Sequence, residues 1–190
     1  QYTAELCSIR GTIWGARTGH ACDPKRAIPE FQKVLERESK SAWAHTMLGL
    51  VYYFQGNFVE AIHRHNHAIQ LQPKYVEAYV NRGVAYQGQG KFEEALQDYN
   101  RALEIKPKFL KALHNRGAAY HEKREFLRAI QDYSQCMELD PNDALAYANR
   151  ALTYLALGYL RKAIADYTQV IRITPRDANA HLQRGHSYSA

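Results

Sequence analysis

One interval constrains this chain more than anything else: large and small residues return every 34 residues. Tyr52, Tyr86, Tyr120, Tyr154 and Tyr188 share one place in it, and Gly49, Gly83, Gly117 and Gly185 share another, with Ala151 in the fourth repeat. Ala61, Ala95, Ala129 and Ala163 mark a third, and Pro73, Pro107, Pro141 and Pro175 close each period. A unit of this length cannot bury its apolar face alone, so the chain reads as one continuous array of stacked units, each touching only its neighbours. Within a unit, a first helix of about 14 residues runs to a turn at Gly56, Gly90 or Gly158, and a second helix ends just before the Pro.

Tyr79, Gly83, Tyr86, Ala95, Tyr99 and Pro107 together resemble the tetratricopeptide repeat, over residues 42–190 well and over 8–41 weakly. The resemblance implies an all-α fold, a right-handed α-solenoid of antiparallel helix pairs. Residues 1–41 then hold a degenerate N-terminal repeat or cap; full repeats occupy 42–75, 76–109, 110–143 and 144–177, and 178–190 is the first helix of a truncated repeat. Gly11, Gly15 and Gly19 weaken any helix before Cys22, each costing about 1 kcal/mol against Ala in a helix interior. From Asp23, a good N-cap, and Pro24 the signal improves, with Ala27, Phe31 and Val34 in the later register. Pro29 is expected to kink this helix or delay its start. The third full turn has no Gly, so Glu122-Lys123-Arg124-Glu125 is expected to use ordinary turn angles.

An apolar share of 46% with 14 Tyr fills a thin two-layer core, and no run of 18 apolar residues is present to span a membrane. Cys7, Cys22 and Cys136 are scattered, which argues against a disulfide framework and for an intracellular, cytoplasmic setting. Cys136 takes the small-residue slot of Ala68 and Ala102 and is expected to be a buried thiol. The net charge of +6 is dispersed, with no aromatic-and-basic platform on one helix face, so no nucleic-acid partner is expected. His20 and Cys22 have no second ligand pair nearby. His63 and His67 share a face, while His65 occupies the core aromatic slot of Tyr99, Tyr133 and Tyr167. No metal, cofactor or enzymatic activity is expected, because no ligand set, nucleophile–base–acid set or phosphate loop stands at the spacing its chemistry needs.

In each first helix, positions 4, 8 and 11 of the repeat carry the core residues, while positions 2, 5, 6, 9 and 12 fall on the other side at 100° per residue. In the family that second face lines a concave groove for peptides, and the resemblance implies the same here. The groove would include Tyr53, Asn81, Val84, Lys111, His114, Asn115, Asn149 and Leu152. Asn81, Asn115 and Asn149 form a ladder. A primary amide both donates and accepts, so it can pair with an extended backbone whatever its side chains. Duplication that copied an Asn without a use is the alternative. Similar ladders occur in the repeat arms of O-linked N-acetylglucosamine transferases. Chaperone-binding repeats instead clamp a terminal carboxylate; Asn81 and Lys111 match that clamp, but Thr46, Leu50 and Asn115 replace its first Lys, its first Asn and its Arg. The resemblance is therefore to the ladder type. The expected function is a protein–protein interaction scaffold that binds an extended peptide. The alternatives are a structural arm of a large multisubunit assembly and a substrate-recruiting arm of an enzyme whose catalytic domain is absent.

Position 7 carries Arg82, Arg116 and Arg150 in the repeats whose second helix carries Asp98, Asp132 and Asp166; in the first full repeat both change, to Leu48 and Arg64. That covariation predicts Arg–Asp pairs within each repeat. The competing register sets each Arg on the Asp of the repeat before it, and the third possibility is that both are solvated.

Overall fold

The computed structural model describes residues 24–189, so Cys7, His20, Cys22, Asp23 and the Gly-rich opening lie outside the described residues. Among those described there are ten helices: α1 Pro24–Arg37, α2 Ala42–Phe54, α3 Phe58–Leu71, α4 Val76–Gly88, α5 Phe92–Ile105, α6 Leu110–Glu122, α7 Phe126–Leu139, α8 Ala144–Ala156, α9 Leu160–Ile173 and α10 Ala178–Ser189. They fall into two compact units, the first ending at Lys91 and the second starting at Phe92. In each unit every helix packs on the next; α2 also touches α4, and α6 touches α8.

The helix ends follow from local chemistry. Ser41, Asp143 and Asp177 accept from the amides of Ala44, Ala146 and Ala180 at 3.3, 3.0 and 3.0 Å, satisfying donors that open α2, α8 and α10. α1 begins at Pro24, so Pro29, which lies exposed inside it, does not delay the start as expected. Phe31 on that helix is 0% exposed and meets Trp43 edge-on at 5.9 Å. Leu48 joins them in the core, where later repeats place Arg.

The first helices end in one recurring turn. Gly56, Gly90 and Gly158 have φ of 74°, 74° and 75°, and each is followed by the paired backbone hydrogen bonds of a Schellman motif. The third turn corrects the sequence expectation: Arg124 adopts the same left-handed conformation, φ 62°. Its amide donates to His121 O at 2.9 Å and that of Glu125 donates to Tyr120 O at 2.8 Å, so the motif is kept without Gly. Those two bonds, and the need to start α7 in register, outweigh a penalty of roughly 1–2 kcal/mol for an L side chain in this region. Arg124→Gly is accordingly expected to raise the unfolding free energy by about 1 kcal/mol. Chemical denaturation checks this, and an unchanged or lower midpoint would show that the Arg124 side chain compensates.

Between the two helices of a repeat, an aromatic slot faces a small one. Tyr99, Tyr133 and Tyr167 are at most 2% exposed, and His65 takes the same slot at 0%. A Cβ on Gly49 would lie 2.6 Å from His65 Cε1, and one on Gly117 would lie 2.8 Å from Tyr133 Cε1, so close helix approach is why glycine stands there. Two of the predicted ion pairs are present. Arg116 Nε and Nη2 donate to Asp132 at 2.8 and 2.6 Å, and Arg150 Nε and Nη2 donate to Asp166 at 2.8 Å each. The guanidinium forks straddle both carboxylate oxygens, and this bonding holds each arginine's pKa above its ordinary value. The remaining nitrogen Nη1 does something the sequence reading missed: it donates to position 25 of the preceding repeat. The contacts are Arg82–Asn66 at 2.6 Å, Arg116–Asn100 at 2.8 Å, Arg150–Ser134 at 2.9 Å and Arg184–Thr168 at 3.3 Å. Arg116 and Arg150 thus each fasten three helices. Arg82 belongs to the first unit and Asp98, 4% exposed, to the second.

Candidate functional site

In the first unit the face opposite the core aromatics is largely closed. Thr46 and Val80 are 0% exposed, Leu50 9% and Asn81 4%; Tyr53 and Val84 are half-buried. Asn81 is therefore not in an exposed row, contrary to expectation. Thr46 and Val80 stand at position 5, only about 60° around the helix from core position 8, and α2 packs on α4 as well as on α3, so that seam covers them. Tyr53 spends its ring on Phe54 and Phe58, with centroids at 5.5 and 5.6 Å.

The second unit keeps an open face. On α8, Leu145 is 58% exposed and Leu152 42%; Asn149 lies half-buried between them, and seven residues of helix return Leu152 to the stripe of Leu145. On α10 Leu182 is 54% exposed. On α6, Lys111 and Asn115 are half-buried, and Asn115 Nδ2 donates to Lys111 O at 2.8 Å, so part of its amide is satisfied inside its own helix.

Two α6 histidines on the same face are tied to α8. Thr153 Oγ1 donates to Asn149 O at 2.8 Å, which makes it the acceptor for His121 Nδ1 at 2.9 Å and sets the proton of that imidazole on Nδ1. His114 Nε2 donates to Asp143 Oδ2 at 2.5 Å. Of the ladder, then, Asn115 and Asn149 share an accessible face with Leu145 and Leu152, while Asn81 is interior. Leu145 and Leu182 carry exposed apolar surface that the Asn ladder did not point to; their signal was Leu at positions 2 and 5 of a first helix.

Tetratricopeptide repeat models match residues 76–109, 110–143 and 133–165, and a TPR repeat model matches 49–90 and 153–190, so the matches run without a break from 49 to 190. The chain belongs to the tetratricopeptide repeat family. Its fold is that of a thermophilic TPR protein of Thermus thermophilus, with a TM-score of 0.79 at 20% identity over 98% of this chain and 100% of the other. It is also similar to YrrB, described as a TPR protein with an unusual peptide-binding site: TM-score 0.68, 23% identity, 88% and 84% of the two chains. The first TPR of Spaghetti, bound to an HSP90 peptide, aligns with a TM-score of 0.58 at 25% identity over 60% of this chain and 90% of that one. No curated protein sequence matches. The TPR fold is an interaction scaffold, typically non-catalytic, and among the described residues no helix is long and apolar enough to cross a membrane.

Proposed function

We propose that this TPR array is a protein-interaction module that holds an extended peptide on the first-helix face of its second unit. The observation that carries this reading is the exposed apolar stripe of Leu145 and Leu152 with the Asn149 amide between them. Apolar side chains of a peptide bury against the leucines, while Asn149, Asn115 and Lys111 supply polar partners for its backbone. The peptide-bound Spaghetti repeat and the peptide-binding site recorded for YrrB support this use of the fold. Asn81, interior in the first unit, is given no contact with the ligand. Selection from a displayed peptide library, followed by affinity measurement, tests the reading. Selected peptides should bind Leu145→Asp/Leu152→Asp protein at least about tenfold more weakly, because hot spots at such faces are desolvated apolar anchors. Equal binding to both proteins, or no selected peptide, would sink it.

A second reading has its own observation. Val59 and Leu127, the second residues of α3 and α7, are 71% and 74% exposed, and surface of that kind suits contact with subunits of a larger assembly. Partners lost on Val59→Glu/Leu127→Glu but kept on the α8 substitutions would favour this structural-arm reading.

A further inference from the structure

The fold brings together three side chains that are 22 and 7 residues apart in the chain: His114 on α6, Cys136 on α7 and Asp143 at the N-cap of α8. One ligand atom from each lies within 4.8 Å of the others. Cys136 is 0% exposed, while His114 and Asp143 keep 16% and 12% of their side-chain surface, so the cluster is buried on one side and open at an edge. Its own hydrogen bonds do not close it. Asp143 Oδ1 is used by the Ala146 amide and Oδ2 by His114 Nε2, and His114 Nδ1 is buried with no hydrogen-bond partner among the described residues. The other repeats do not share the arrangement. They carry Thr46, Val80, Ala148 and Leu182 in the His slot and Ala68, Ala102 and Val170 in the Cys slot, so His and Cys stand together in the third full repeat alone among these.

We propose that His114, Cys136 and Asp143 form a site for a zinc-like divalent cation, bound through an imidazole nitrogen, Sγ and a carboxylate oxygen, with the fourth position at the open edge taken by water. Thiolate, imidazole and carboxylate are the donor types zinc accepts. Around a tetrahedral ion with bonds of 2.0–2.3 Å the ligand atoms stand about 3.3–3.7 Å apart, so adjustments of roughly 1 Å from the present spacing complete the set. Rotation about Cβ–Cγ lets His114 present either nitrogen. On binding, the Cys136 S–H bond breaks, its proton leaves to solvent and the sulfur lone pair goes to the metal; no electron is transferred. A doubly positive ion with one thiolate and one carboxylate leaves no net charge in the half-buried site, which is what a low-dielectric setting favours. Without an ion, burial pushes the Cys136 thiol up to about 12, so it stays protonated and inert.

Titration of the reduced full chain with Co(II) tests the site. One equivalent should give a thiolate-to-cobalt charge-transfer band that Zn(II) abolishes by displacement. Cys136→Ala and His114→Ala introduce residues that Ala102 and Ala148 already supply at these positions, so both should fold, as circular dichroism would verify. Both should lose the band, and Zn(II) affinity should fall at least about tenfold. A Cys7→Ser/Cys22→Ser protein and a His63→Ala protein should keep it. No band in the unsubstituted protein, a band that survives Cys136→Ala, or one lost with Cys7 and Cys22 instead would overturn the assignment. None of these outcomes depends on whether a peptide binds.

Discussion

Arg116→Ala should lower the stability of the second unit by about 3–5 kcal/mol, because it leaves the carboxylate of Asp132, only 4% exposed, without its cation. The arginine itself is 21% exposed. Its removal also frees Asn100, whose Oδ1 accepts from Nη1 at 2.8 Å. Arg116→Lys keeps the charge but cannot reproduce the fork, so it should recover only part of the loss. Removing both partners in Arg116→Ala/Asp132→Ala should cost less than Arg116→Ala alone, since no buried charge is then stranded. The measurement is a double-mutant cycle by denaturant unfolding. A loss under about 1 kcal/mol for Arg116→Ala, the range of exposed pairs, would mean that water screens the contact.

Tyr133→Ala should cost a similar amount, about 3–5 kcal/mol, because the ring fills the space between α6 and α7 at 2% exposure. The same contact can be attacked from the other side. Gly117→Ala sets a methyl 2.8 Å from Tyr133 Cε1 and should cost about 1–3 kcal/mol through overpacking. The two effects should not add: with the ring removed, the methyl at Gly117 enters empty space and its cost should disappear. Additive losses would show that Gly117 is required for some reason other than that ring. Ala151, opposite Tyr167 in the fourth repeat, shows that the slot takes a methyl where the helices are built to stand around it.

The sequence by itself determined whatever depends on patterns confined to one repeat and copied four times. The starts of the first helices at Ala42, Val76, Leu110, Ala144 and Ala178, the small slots under the aromatic ones, and the Arg116–Asp132 and Arg150–Asp166 pairs are of that kind. Their causes are helical spacing, side-chain size and charge, and a repeated chain displays each of them several times over. Only the tertiary structure decided what no pattern copied along the chain displays: how neighbouring helices cover one another, and the backbone path of a single turn. Neighbouring first helices meet in each unit, so the Asn row is not uniform: Asn81 is covered while Asn149 flanks an open stripe. Arg124 is held at positive φ by two backbone hydrogen bonds and by the register of α7, neither of which its residue type reports. The acceptors at Asn66, Asn100, Ser134 and Thr168 looked like ordinary helix surface until an arginine from the next repeat reached them. His114, Cys136 and Asp143 converge for the same reason: helix packing sets their distance, and spacing along the chain carries no trace of it.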